Sequence, residues 1–478
     1  MTRAPACLPI VLLALGTAAC AGTVHDLDAH APLPAATTPA TIAPASGLAQ
    51  SFTSAPVAAD WWTAFGSPQL NALVTQALAH NNDVAVADAS LRQARELAGA
   101  ARGQALPQVD ASYQAERTRI SNALSPAVAD QSQQLYTLHT AQVAVSYPVD
   151  LFGGVRSRIR SARAAAEVQR HRLDAARASV VANLIQAVVQ RAVLADQVDA
   201  AKIAISVNQD ILKSQLQRQK LGAIGAADVA TQQTALATAE GVLPPLVRQE
   251  AHQRVVIATL LGRPAGEPLP DLPTLAALQL PTGLPAVLPS DLVARRPDVR
   301  AAAAQLEGAG ADVRTAIAAR LPSIVLSGSA GGTAERFGDM FKSGNPFWTL
   351  IGGITQPIFH AGALRHQQRA AEAALDGAKA QYRTAVLTAF GDVSDALTGL
   401  ATDGVALDAA TRASTASDRA LTFARRQLAL GGADSLFLLN AVAADAQARA
   451  QLVQAKGARL SDTVALFLAS GGPVAADK

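Results

Sequence analysis

Two stretches of this chain are too long and too free of helix breakers to belong to a compact globular domain. Residues 155 to 221 hold neither proline nor glycine over 67 positions. Residues 364 to 430 span the same 67 positions and also lack proline, although Gly377, Gly391, Gly399 and Gly404 interrupt them. As a continuous helix, either stretch would reach about 100 Å at ~1.5 Å per residue. In the first, Leu173, Val180, Leu184, Ala187, Val188, Leu194 and Val198 recur at helical spacing, with Arg, Gln and Asp between them.

The surroundings of the two rods repeat as well. Asn82-Asp83-Val84 and Leu106-Pro107-Gln108-Val109 correspond to Pro297-Asp298-Val299 and Leu321-Pro322-Ser323-Ile324, each 215 positions later. Pro148 to Arg156 corresponds to Pro357 to Arg365 at an offset of 209, which Leu221-Gly222 and Leu430-Gly431 keep. The shift falls between Pro107 and Pro148, where a loop can vary in length. Each copy reads as helix, strand, loop, strand, long helix, turn and returning helix. The copies span residues 59–270 and 271–478.

The strand segments alternate. Near 107–119, Val109, Ala111, Tyr113 and Ala115 point one way, and Asp110, Ser112, Gln114 and Glu116 the other. Near 138–149, Val143, Val145 and Tyr147 alternate with Gln142, Ala144 and Ser146. Near 322–331, Ile324, Leu326, Gly328 and Ala330 alternate with Ser323, Ser327 and Ser329, with Val325 out of phase. The segment 347–358 is less regular, and its Phe347 and Trp348 suit a membrane surface. Strands of ~9–11 residues with one apolar and one polar face fit a membrane barrel.

One chain supplies four such strands. An open sheet edge in lipid would leave backbone groups unpaired, so several chains must share one barrel. A closed ring of identical copies is self-limiting. The residues themselves leave a dimer or a trimer open.

The N-terminus carries an address. Arg3, the apolar run Leu8 to Leu15 and Thr17-Ala18-Ala19-Cys20 read as a signal peptide over residues 1–19. Small residues before Cys20 resemble a bacterial lipobox, with Thr17 in place of the usual leucine. Cys20 would then begin the mature chain and carry acyl chains such as palmitate. Residues 20–58, rich in Ala, Thr, Pro and Ser, read as a lipid-anchored tether.

Little points to chemistry. Net charge is +3, with no basic field for nucleic acid. Both cysteines lie in the first 20 residues, so the body has no thiolate or cysteine metal site. The eight histidines form no H-x-x-x-H or H-E-x-x-H pair. There is no G-x-S-x-G elbow and no Walker loop. No catalytic residue, metal or cofactor is expected.

The chain resembles the outer-membrane efflux protein family, the exit ducts of tripartite pumps, and in particular its lipoprotein branch of nodulation-protein-T type. The resemblance is carried by Trp61-Trp62 through Leu70 and Leu73, Asn82-Asp83, Pro148 to Arg156 and Pro357 to Arg365. Its most specific run is Leu288-Pro289-Ser290-Asp291-Leu292-Val293-Ala294-Arg295-Arg296-Pro297-Asp298-Val299-Arg300. It implies a membrane α+β fold: a trimeric twelve-stranded β-barrel continued by a long α-helical periplasmic barrel, with an equatorial belt. The belt would gather residues near 60–70, the segment 262–290 and the C-terminal stretch.

The resemblance also implies a homotrimer anchored in outer-membrane lipid, a periplasmic membrane-fusion adaptor and an inner-membrane pump. The adaptor would dock on hairpin tips at Leu221, Gly222, Ala223, Leu430, Gly431 and Gly432. A periplasmic gate would follow the second tip, with Leu436 at the apolar ring. The usual acidic position falls on Asn440 and the usual arginine on Ala443, so Asp434 becomes the nearby carboxylate. The implied function is a passive exit duct for small molecules. The rival readings are a protein-secretion duct and a non-pore periplasmic coiled-coil scaffold.

Overall fold

Caps and breakers divide the chain into its elements. A computed structural model describes residues 50–53, 57–119, 135–285, 295–430, 432 and 435–474. The expectations for Cys20, Gly431, Asp434, the signal peptide, most of the tether and Leu288 to Ala294 lie outside these residues. Helix α1 (Pro68–His80) opens with Pro68 in its first turn and the Ser67 hydroxyl accepting from the Leu70 amide at 3.3 Å. Helix α2 (Asn82–Gly103) is capped by Asn81, whose Oδ1 accepts from the Asp83 and Val84 amides. Two strands follow, β2 (Gln108–Arg119) and β3 (Leu135–Val149), after the short β1 (Ser51–Thr53) upstream.

Helix α3 (Gly154–Lys220) begins at Gly153, which takes a positive φ of 76°. Asp150 covers the exposed N-terminus: its carboxylate accepts from the Val155 and Arg156 amides and pairs with the Arg156 guanidinium. α3 ends at Leu221-Gly222, and Gly222 supplies the φ of +73° that reverses the chain. Helix α4 (Ala226–Leu260) returns alongside it, with Asp228 accepting from the Gly225 amide. α4 stays helical through Pro244 and Pro245. These prolines leave the carbonyls four residues back without their usual donors.

After the short β4 (Gly283–Pro285), the order recurs: α5 (Pro297–Ala318), β5 (Ser323–Ala334), β6 (Pro346–Thr355), α6 (Ala363–Ala429) and α7 (Ser435–Ala469). The lengths match in pairs: α2 and α5 have 22 residues, α3 and α6 have 67, and α4 and α7 have 35. The glycines of α6 do not break it, because packing supplies what propensity lacks. At Gly399 the helices approach closely, and a Cβ there would require the Asp462 carboxylate of α7 to move aside.

The four long strands form one antiparallel sheet in the order β2-β3-β5-β6. Strand β1 pairs in parallel with β4, Phe52 opposite Leu284. Among the described residues, Gln50 to Thr53 are thus already packed, within the stretch read as a tether. The largest core lies away from the sheet. Trp61, Trp62 and Phe65, in a short 3-10 turn, pack with Leu73 of α1, Leu184 and Val188 of α3, Leu275, Leu278 and Phe467. Trp61 stacks on Phe467 with ring centroids 5.2 Å apart. The 60–70 segment, the linker after α4 and the C-terminal helix thus share one cluster.

Candidate channel wall, gate and tips

The register assigns every strand residue to a face. Val109, Ala111 and Tyr113 stand opposite Val145, Val143 and Ala141. Those three continue to Gly328, Ala330 and Gly332 of β5. Leu326, Gly328 and Ala330 in turn face Gly352, Leu350 and Trp348 of β6. One face of the sheet is therefore apolar across all four strands, and its large side chains are exposed; Trp348, for instance, is 77% exposed and Leu350 76%. Pairing sorts the side chains of β6: Trp348, Leu350 and Ile354 share the apolar face, and Phe347 and Ile351 fall on the other. The opposite face carries Asp110, Ser112, Gln114, Glu116, Gln142 and Ser327, with hydroxyl pairs Ser329–Thr349 at 2.8 Å and Thr140–Thr333 at 3.1 Å.

At the far end of the helices sit the two turns. Leu221 is 83% exposed and Leu430 87%, both unusual for leucine. Gly222, Ala223 and Gly432 beside them are also exposed. Leu436 and Asn440 lie one helical turn apart at the start of α7, and both are exposed within the protomer. Asn440 and Ala443 line a groove of about 890 Å³ between α3, α4 and α7, and among the described residues no charged side chain lines it.

The two hairpins cohere differently near this end. Leu421 and Ala424 of α6 pack on Leu438 and Val442 of α7 and on Ile211 of α3. Between α3 and α4 the buried contact is an amide one: Gln232 donates to the carbonyl and the Oδ1 of Asn208 at 3.1 and 3.0 Å. α6 and α7 are further tied by Arg449, which pairs with Asp418 at 2.9 Å and Asp445 at 2.7 Å. Sequence reading singled out none of these groups, because a single polar residue on a helix gives no periodic signal.

Around the belt, two buried arginines hold separate segments together. Arg296 pairs with Asp298 and, across to α6, with Asp392, both at 2.7 Å, and donates to the Ala469 carbonyl. Arg459 of α7 donates to the Leu400 carbonyl and the Gln50 amide oxygen, and Gln50 in turn donates to the Pro281 carbonyl. Beside Arg459, burial pushes the Asp403 carboxyl up to about 6, and the neighbouring Asp462 carboxylate pushes the same way against Arg459.

A folded-state value above the unfolded one means that protonation favours the folded chain. Stability from this group is full below the unfolded carboxylate value near 4 and is lost as pH rises through about 6. Asp403→Asn is accordingly expected to raise the unfolding temperature at pH 8 and to leave it nearly unchanged at pH 4. An equal change at both pH values, read by calorimetry in detergent, would contradict the assignment.

Among the described residues, no group of His, Cys, Asp and Glu is arranged to hold a metal ion. A sheet apolar on one face and polar on the other, set before paired helical rods, is the α+β architecture of an outer-membrane channel. The chain belongs to the outer membrane efflux protein family, whose model matches residues 73–263 and 288–472.

It is 32% identical over 424 residues to the pyoverdine export outer membrane protein OpmQ of Pseudomonas putida, covering 87% of this chain and 88% of that one. Its fold matches the outer-membrane channel OprN with a TM-score of 0.82 at 29% identity, covering 92% and 98% of the two chains. It also matches the CmeC outer membrane channel of Campylobacter jejuni, with a TM-score of 0.81 at 23% identity over 88% and 89%, a likeness of fold. The protein is an outer-membrane efflux channel of a tripartite pump, a transport protein and not an enzyme.

Proposed function

We propose that three copies of this chain close a twelve-stranded barrel, with the apolar sheet face toward lipid and the polar face lining a water-filled lumen. The observation that carries this reading is the four-stranded sheet itself: among the described residues, β2 and β6 each have one unpaired edge, which lipid does not tolerate. β2 of one copy pairing with β6 of the next closes the ring. The matching element lengths point to a tandem duplication, with copies at 59–270 and 271–478. The long helices continue the barrel through the periplasm. Cys20 carries acyl chains that add an outer-membrane anchor, in the manner of the lipoprotein branch.

The cargo is a small molecule, selected by an inner-membrane pump and handed over through a periplasmic adaptor docked at the helical tips. The pyoverdine export in the name of OpmQ supports a small organic compound as the class of cargo. The efflux and export names of the relatives favour this reading over a protein-secretion duct.

Near the tips, Leu436 and Asn440 form the narrowest point. Three symmetry-related amides would not build the cation-attracting field of three carboxylates. In planar bilayers, Leu436→Ala and Asn440→Ala are each expected to raise single-channel conductance severalfold. Asn440→Asp is expected to increase the preference for cations. Conductance unchanged in both alanine variants would remove these residues from the gate. Cross-linking across β2 and β6 that traps a trimer tests the barrel, and a monomer that needs no detergent would refute it.

A further inference from the structure

We infer that the outer end of the apolar sheet face binds the phosphate groups of outer-leaflet glycolipid through Arg117, Arg119 and Arg336. The inference rests on the barrel reading above and adds a ligand to it. Along β2 the residues of the apolar face run Val109, Ala111, Tyr113, Ala115 and then Arg117 and Arg119, opposite Thr137 and Leu135 of β3. Side chains two apart share a face, so both guanidiniums leave the sheet on the side that meets lipid. A charge there is tolerated only where the hydrocarbon ends. All three arginines are exposed.

An aromatic ledge marks that level. Tyr113 stacks on His139 with centroids 6.1 Å apart, and its hydroxyl meets the ring Nδ1 at 2.8 Å. Phe337, from the turn after β5, packs edge-on to Tyr113 at 5.6 Å and to His139 at 6.3 Å. Such rings settle at the boundary between acyl chains and headgroups. Arg117 and Arg119 lie four and six residues beyond Tyr113, roughly 13 and 20 Å along the strand. A strand tilt of ~45° reduces this to about 9 and 14 Å of height, which carries the guanidiniums into the headgroup layer. Arg336 precedes Phe337 and so sits beside the same ledge.

The charges around the ledge leave these arginines available. Glu116 is turned to the opposite face, where Thr118 donates to it. Asp339 is held by Lys342 at 2.6 Å, with Arg336 within electrostatic reach. Glu335 is the remaining carboxylate of that turn. None of the three arginines makes an ion pair with a described residue. Guanidinium groups match phosphate oxygens in a two-point geometry that a lysine lacks. A surface with paired arginines above exposed aromatic and aliphatic side chains fits a bisphosphorylated, acylated sugar.

Native mass spectrometry of the detergent-solubilised oligomer tests this with bisphosphorylated lipid A and its phosphate-free counterpart. The wild-type protein is expected to retain the phosphorylated lipid at least tenfold better. The combined Arg117→Ser, Arg119→Ser and Arg336→Ser variant should lose that preference, and Glu116→Gln, on the other face, should keep it. Excess inorganic phosphate should leave the adduct intact; displacement would indicate a site for the free anion and overturn the lipid assignment. Equal retention of the two lipids by the wild-type protein, or an undiminished preference in the triple variant, would also overturn it. Bilayer conductance is recorded on the same samples. Normal conductance without phosphate-dependent retention refutes this inference alone, and a wild-type protein that forms no pore refutes the barrel on which it stands.

Discussion

Replacing Leu221 and Leu430 together with serine is expected to abolish efflux while leaving the pore intact. Both side chains stand almost fully in solvent at the two hairpin turns. Little core is lost when they are removed, so the fold should not notice. Exposed leucines at the ends of 67-residue helices are instead suited to burial against a partner. If the adaptor docks there, each leucine acts as an anchor whose loss costs about 2 kcal/mol, roughly thirtyfold in affinity. Threefold repetition would multiply the effect across one assembly. The readout is sensitivity of cells to toxic compounds, which should equal that of a deletion strain. Detergent-extracted protein should keep the wild-type conductance and heat resistance. Full resistance in cells carrying the double variant would place the docking surface elsewhere.

Arg296→Met is expected to lower folding stability by about 3 kcal/mol. The arginine side chain is 10% exposed and joins the start of α5, the middle of α6 and the end of α7 through two carboxylates and one carbonyl. Methionine fills a similar volume and isolates the electrostatic part. The two partner carboxylates are 44% and 45% exposed, so water recovers some of their solvation, which places the loss near the lower end of the range for a broken buried pair. Asp392→Asn should cost less, since Arg296 retains Asp298, and the two substitutions together should cost less than their sum. Denaturant unfolding of the detergent-solubilised protein measures all three. Additive effects would mean that Arg296 and Asp392 are not energetically coupled.

Much of the architecture was legible because it rests on local periodicity. Absence of proline and glycine across 155–221 announces a rod, and α3 occupies Gly154–Lys220. Alternation in 107–119 announces a two-faced strand, and β2 occupies Gln108–Arg119. Segment 347–358 was harder, because Phe347 and Trp348 adjoin and alternation fails over so short a run. Pairing with β5 resolves it: Trp348 lies opposite Ala330 and Phe347 opposite Gly331, on different faces. That strand also stops at Thr355, before Pro357, which has no amide to give the ladder.

The glycines of 364–430 interrupt a stretch whose length still reads as one helix, and α6 occupies Ala363–Ala429. They weaken a helix in isolation, but α6 gains its stability from the helices packed around it. The polar clamps were invisible for a related reason. Arg459, Asp403 and Gln50 are far apart in sequence, and only folding brings them together. Leu221 and Leu430 were recognisable as turn positions from their glycines, yet their exposure is a property of the folded hairpins.

The sequence by itself determined the kind of elements, their lengths and their doubling, since each follows from side-chain period and from where the backbone can bend. Tertiary structure decided which strands are neighbours, which face of β6 is apolar, and which charges are buried in pairs. Those depend on contacts between residues tens to hundreds of positions apart, whose free energies exist only once the helices and the sheet have come together.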